Sequence, residues 1–82
     1  MFFVYAIYNR QFKKLYIGQT INMEQRLKEH NTHVFKGYTS RFQGVWELVY
    51  KEPVATRTEA LLREKQLKSH QGREFIKQHI RG

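Results

Sequence analysis

Two tyrosines, an arginine, a histidine and a glutamate are the residues of this chain whose types and spacing lend themselves to chemistry. Glu64 stands in a stretch whose apolar residues, Ala60, Leu61 and Leu67, recur at helical spacing, and on a wheel of about 100° per residue it falls inside the apolar arc. A carboxylate there needs a partner, because an unpaired buried charge is driven toward protonation or costs several kcal/mol. Position alone leaves two partners open: a core-edge arginine such as Arg26, or a metal ion. Tyr5 and Tyr16 fall in two stretches rich in β-branched and aromatic residues. Facing residues of paired strands come within about 5 Å on one sheet face. Aromatic pairs in sheets are ordinarily packing, so these two gain chemical meaning only from the residues around them. The histidines at 30, 33, 70 and 79 raise a zinc site, but there is no Cys and no compact second pair to complete one.

The elements that must position these groups follow from local pattern. Phe2 to Tyr8 reads as a buried strand and Leu15 to Thr20 as a second, joined by a short polar segment beginning at Asn9, so an N-terminal hairpin is expected. Asn22 is placed to cap a helix from Met23 to about His30, with Gln25 at the position from which an amide reaches back. Met23 and Leu27 mark the apolar side of that helix, and Arg26 and His30 fall beside them. Residues 32–44 read as a long loop. Trp46 to Lys51 alternates as a third strand, which Pro53 is expected to close. Thr56 with Glu59 forms a capping box ahead of a helix from Arg57 to about Ser69, and Gly72 is expected to interrupt before a last short helix from Arg73 to Ile80. The predicted order is β-β-α-β-α-α in one domain over residues 1–82, since so short a chain has room for one core.

Lys and Arg number 15 against 7 acidic residues, a net charge of +8 spread along the whole chain. A polyanion is the expected partner. Without cysteine there is neither a disulfide framework nor a thiolate metal site. The apolar start at Phe2 lacks a preceding basic segment and ends at Asn9-Arg10, and no run approaches a membrane span. A cytoplasmic location with no membrane partner is the expectation.

Phe3-Val4-Tyr5, Tyr16-Ile17-Gly18, Arg26 with His30-Asn31, and Arg63-Glu64-Lys65, in that order, resemble the GIY-YIG nuclease family. Tyr38-Thr39-Ser40-Arg41, Trp46-Glu47-Leu48-Val49-Tyr50 and Glu59-Ala60-Leu61 look like the small stand-alone members. The resemblance covers nearly the whole chain. It implies an α+β fold, a three-stranded antiparallel sheet flanked by helices, and endonucleolytic cleavage of DNA with one divalent ion, Mg²⁺, for which Mn²⁺ is the expected substitute. On that reading Glu64 takes the metal-ligand role, Arg26 that of the signature arginine, and Tyr5 and Tyr16 those of the two motif tyrosines. His30 matches a position often filled by His or Tyr. The first motif departs from the family in lacking its glycine while keeping its tyrosine, and no residue matches the extra polar group that some members supply after the glutamate helix.

Hydrolysis of a phosphodiester needs a nucleophilic water, a proton acceptor, and positive charge for the transition state and leaving oxygen. Tyr16 or Tyr5 is the expected acceptor, with nearby cations lowering the phenolic pKa from about 10. His30 is the rival, with a pKa near neutrality. The sequence does not choose among them. Arg26 would hold a non-bridging phosphate oxygen. Mg²⁺ tolerates one carboxylate with waters and phosphate oxygens, so a lone Glu64 suffices. Gly18 would let backbone approach the phosphate or pack tightly. Lys36, Tyr38, Arg41 and Lys68 are candidates for tracking the nucleic-acid strand. No helix-turn-helix or zinc-finger pattern is visible, so site-specific cutting would need a protein partner, and structure-selective or single-strand cutting is expected instead. Two other readings are a nucleic-acid-binding module that keeps the fold without autonomous catalysis, and a basic adaptor for an acidic protein. Oligomeric state is not legible.

Overall fold

The computed structural model describes residues 1–32, 42 and 44–80 of the chain. Three strands, β1 (Phe2–Asn9), β2 (Lys14–Thr20) and β3 (Trp46–Val54), and three helices, α1 (Met23–Asn31), α2 (Arg57–Lys68) and α3 (His70–Lys77), follow in the predicted order. They build a three-stranded antiparallel sheet, order β2-β1-β3, with helices on both faces.

The central place of β1 follows from its composition: Val4, Tyr5, Ala6 and Ile7 are all buried, as a strand covered on both faces requires. Period-2 alternation sends Val4 and Ala6 into one core with Ile17, Ala60, Leu67 and Ile76, under α2 and α3. Tyr5 and Ile7 enter a second core with Met23, Trp46 and the partly buried Tyr16 and Leu27, under α1. A bulge supports this division on β3. Ala6 opposes Tyr50 while Ile7 opposes Leu48, so Val49 is the extra residue. Val49 and Tyr50 consequently both face the α2–α3 core, and Leu48 faces the other.

Local polar groups end each element. The Asn9 side chain accepts from Phe12 N–H at 3.1 Å in the β1–β2 turn, where Lys13 takes the left-handed conformation at φ 55°. The Asn22 side chain caps α1 by accepting from Gln25 N–H at 3.1 Å, and Thr56 caps α2 through Glu59 N–H at the same distance. Gln25 Oε1 reaches back to Asn22 by accepting from its side-chain Nδ2 at 3.4 Å, while Asn22 N–H donates to Thr20 Oγ1; the Glu59 carboxylate accepts from Ala55 N–H, one residue before the cap. The far end of α1 is fixed differently: Asn31 Oδ1 accepts from Trp46 N–H at 2.7 Å and Asn31 Nδ2 donates to Trp46 O at 2.9 Å. One side chain thus binds both backbone groups of the first residue of β3.

Two expectations are corrected. Pro53 does not close β3, which runs on to Val54 with Pro53 opposite Phe3, because β3 lies at the edge of the sheet, where a missing N–H is tolerated. Gly72 does not interrupt a helix but lies inside α3, which starts at His70 rather than Arg73. Ser69 makes that early start possible. Its hydroxyl donates to Gln66 O at 2.6 Å, at the end of α2, and accepts from Gly72 N–H at 3.2 Å, at the start of α3. A Cβ at residue 72 would overlap backbone atoms of Gln66 and Leu67, so hydrogen is the only substituent that lets α3 lie against the last turn of α2. Gly72→Ala should therefore destabilise the protein by about 3 kcal/mol or more despite alanine's better helix propensity. A urea midpoint unchanged by this substitution would show that the two helices are not held in this contact.

Candidate active site

Tyr5 and Tyr16 lie on the same sheet face as diagonal neighbours. Tyr5 pairs with Gly18 and Tyr16 with Ile7, and the two rings stand 6.2 Å apart between centroids. Gly18 is what allows this. A Cβ there would come to 2.9 Å from the Tyr5 hydroxyl oxygen and 3.0 Å from the Tyr16 ring, so the glycine leaves space for the two phenols rather than for a ligand. Helix α1 brings His30 over the pair: its Nε2 is 2.9 Å from the Tyr5 hydroxyl, and its ring lies 5.0 Å from that of Tyr16. Arg26, one turn earlier on α1, is half-buried, with its Nε 3.8 Å from Glu29 Oε1.

Burial sorts these groups. Tyr5 and His30 are closed off from solvent at 1% and 0% exposure, while Tyr16 is partly open. Desolvation, then the neighbouring Tyr16, pushes the Tyr5 phenol well above its ordinary pKa of 10.0; Arg26 opposes the rise, and Glu64 and a hydrogen bond with Tyr16 add to it. This is opposite to the lowering by nearby cations expected from sequence. His30 is pushed down to about 4 by burial and then by the charge of Arg26, with Glu29 acting the other way, so its near-neutral expectation is also corrected. At pH 7 Tyr5 keeps its proton and His30 is neutral.

Glu64 reaches the cluster from the other face of the sheet. It shares the inward stripe of α2 with buried Ala60 and Leu67, as expected, whereas Leu61 and Leu62 are exposed at 48% and 58%, so the apolar arc drawn from sequence was wider than the face α2 buries. The Glu64 side chain is 21% exposed and is paired not with Arg26 but with Lys68, one turn on, at 3.1 Å. Its charge is felt at Tyr5, as is that of Arg26. A carboxylate whose ion-pair partner among the described residues is a half-exposed lysine at i+4, a pairing that contributes only about 0.3–0.5 kcal/mol, is one that a hard divalent cation can claim.

The structure thus sets Tyr5, Tyr16 and His30 together over Gly18 at the middle of the β1–β2 pair, with Arg26 and Glu64 near enough for their charges to act on Tyr5 and with Lys68 paired to Glu64. Lys36, Tyr38 and Arg41, with His33, lie outside the described residues. The other histidines are elsewhere: His70 is exposed on α3 near Glu74, and His79 packs on Tyr50 and Phe75. Sequence reasoning passed over Arg73. It lines a cleft with Leu15, Tyr16, Ile17 and Lys68, and its Nε donates to Lys68 O at 3.1 Å. Its position five residues after Lys68, across the helix junction, is a tertiary relation that no helical period reveals. Among the described residues, no helix is long and apolar enough to cross a membrane.

A sheet of this order, with Tyr5 and Tyr16 as diagonal neighbours on β1 and β2, Gly18 in β2 and a glutamate on α2, defines an α+β domain. The family model of the GIY-YIG catalytic domain matches residues 1–79, and the chain belongs to that family, which makes the domain one of the nuclease type. Comparison with curated proteins and with solved structures gave no match.

The buried His30 carries a pH signature. Between its ordinary pKa of 6.5 and its native value of about 4, the unfolded chain binds a proton that the native state refuses, so stability is complete above pH 6.5 and falls as the solution is acidified. The loss attributable to His30 should reach about 2–3 kcal/mol by pH 4.5. His30→Gln can hydrogen-bond the Tyr5 hydroxyl but cannot titrate, so its denaturation free energy should fall less steeply over that interval. Equal slopes for the two proteins would refute the assignment.

Proposed function

We propose that this chain is a divalent-metal-dependent endonuclease that hydrolyses DNA phosphodiester bonds, with Tyr16 as the proton acceptor. The observation that carries the choice of base is the difference in burial between the two tyrosines: water can reach Tyr16, whereas Tyr5 is enclosed and its proton held.

In this reading Tyr16 takes the proton of the attacking water. Tyr16 acts as the phenolate and becomes the neutral phenol on taking that proton; the Tyr5 hydroxyl, hydrogen-bonded with Tyr16, donates to the phenolate before the transfer, and neutral His30 supports Tyr5 from behind through Nε2. Donors already in place and shielded from water hold that charge without reorganisation. Arg26, on the helix that supplies His30, neutralises a non-bridging phosphate oxygen. Glu64 would hold the metal, Mg²⁺ or Mn²⁺, which when bound supplies positive charge for the phosphate and the departing 3′ oxygen. Lys68 must then release the Glu64 carboxylate, at small cost for a pair of this kind.

The charge of +8 supplies affinity without sequence information. Structure-selective or single-strand cutting is therefore the reading we favour over site-specific cutting. A non-catalytic or partner-activated binding module would need no base held apart from its buried neighbour, and the difference between Tyr5 and Tyr16 speaks for chemistry.

Cleavage of labelled single-stranded, duplex and branched DNA in Mg²⁺ tests the proposal. Glu64→Gln should lose about 10³-fold or more in kcat while its DNA affinity and urea midpoint hold. Tyr16→Phe should lose about 10²–10⁴-fold, the range of a general base, and Tyr5→Phe about tenfold. A Tyr16→Phe protein that cuts as well as the parent would remove Tyr16 from the mechanism, and a parent that binds every substrate but cuts none would leave the binding module as the better account.

A further inference from the structure

We infer that the cleft between the outer edge of β2 and the α2–α3 junction is a second phosphate subsite, in which Lys68 and Arg73 hold the backbone phosphate next to the one being cut. The inference rests on the nuclease reading above and extends the site beyond the residues that perform the chemistry.

The cleft has a volume of about 310 Å³ and is lined by Leu15, Tyr16, Ile17, Lys68 and Arg73. Its floor is three consecutive residues of a strand bonded on one side only, since β2 pairs with β1 and ends the sheet. The outer backbone groups of an edge strand are available to a second chain. Its wall carries two cations, and among the described residues no carboxylate lines it. Arg73 is anchored through one donor, Nε to Lys68 O at 3.1 Å. A guanidinium has four further N–H groups, and their fork matches phosphate oxygens. Lys68 stands between the two regions: its ammonium is 3.1 Å from the Glu64 carboxylate while its side chain lines the cleft. Tyr16 belongs to both, forming part of the cleft floor and packing on His30 in the buried cluster.

These shared residues fix the path of a substrate. A strand whose reacting phosphate lies at Tyr16 and Glu64 is led along the edge of β2, and the first positive charges it meets in the cleft are Lys68 and Arg73. An extended chain carrying one anion per residue, rather than a compact anion, is the ligand that spans both regions. An acidic peptide shares that charge pattern and is the competitor to be tested.

The experiment compares the parent with Arg73→Gln and with Arg57→Gln, an equal charge change at the exposed opposite end of α2. Binding to a labelled single-stranded oligonucleotide is measured against salt in EDTA, and cleavage is then measured in Mg²⁺. Arg73→Gln should weaken binding about fivefold to tenfold at about 0.1 M salt and make the log–log salt slope shallower by about 0.7, the signature of one lost phosphate contact on a single strand. Arg57→Gln should leave the slope unchanged. On any substrate the parent cuts, Arg73→Gln should raise KM by a similar factor and keep kcat within about twofold. Equal slopes for the two variants would reduce the effect to general charge and overturn the subsite, even if the parent is an active nuclease. Tighter Arg73-dependent binding of polyglutamate than of the oligonucleotide would overturn it in favour of a protein ligand. If the Arg73-specific slope change holds but the parent cuts nothing, the subsite stands and the catalytic reading falls.

Discussion

The hydrogen bond between the Tyr5 hydroxyl and His30 Nε2 joins the centre of the sheet to α1 where neither group can turn to solvent. Leaving one of two such groups unpaired costs about 1–3 kcal/mol, so the bond fixes more than itself. It sets the rotation of α1 about its own axis, and with it the place of Arg26 one turn earlier. It also fixes the Tyr5 ring over Gly18, and the space left at the glycine determines where Tyr16 can lie. The cluster is therefore a single packed unit in which the geometry of the exposed member is dictated by the two that are hidden.

The glutamate of the site approaches from the other side. Alternation along β1 assigns Tyr5 to the α1 face and Val4 and Ala6 to the face covered by α2, yet Glu64 on α2 is electrostatically coupled to Tyr5. The two halves are linked at the β2 edge, where Lys68, the partner of Glu64, lines one cleft with Tyr16. A further strand beyond β2 would fill that cleft, so the link depends on the sheet ending there. The stability of each core and the chemistry of the site are in this way tied to the same strand order.

Much of this arrangement was legible in the sequence because its determinants are local. Runs of β-branched and aromatic residues marked the strands of the hairpin, Asn22 and Thr56 the starts of α1 and α2, and the spacing of Ala60, Glu64 and Leu67 placed the carboxylate on the inward stripe. What local pattern could not supply was tertiary. Pro53 and Gly72 read as breaks, because their tolerance comes from an edge position and from a neighbouring helix turn. Leu61 looked like core because hydrophobicity alone does not say how wide a face is covered. Tyr5 and Tyr16 were equivalent as letters, and only burial, which depends on α1 lying over one more than the other, tells them apart. The same burial raised Tyr5 where nearby cations were expected to lower it, and lowered His30 from the near-neutral value expected of its residue type.

The clamp of Asn31 on Trp46 has a bearing on how such a domain can diversify. By binding both backbone groups of the residue that opens β3, one amide side chain closes the chain between positions 15 apart, and Phe42 between them packs against Trp46. Once the ends of a segment are tied, doubling its length costs only about 0.6 kcal/mol of closure entropy. An insertion between positions 31 and 46 that keeps the Phe42 contacts would therefore lengthen the protein with the closing bonds still in place, which makes this connection a tolerant point for acquiring new recognition elements around a fixed chemical centre.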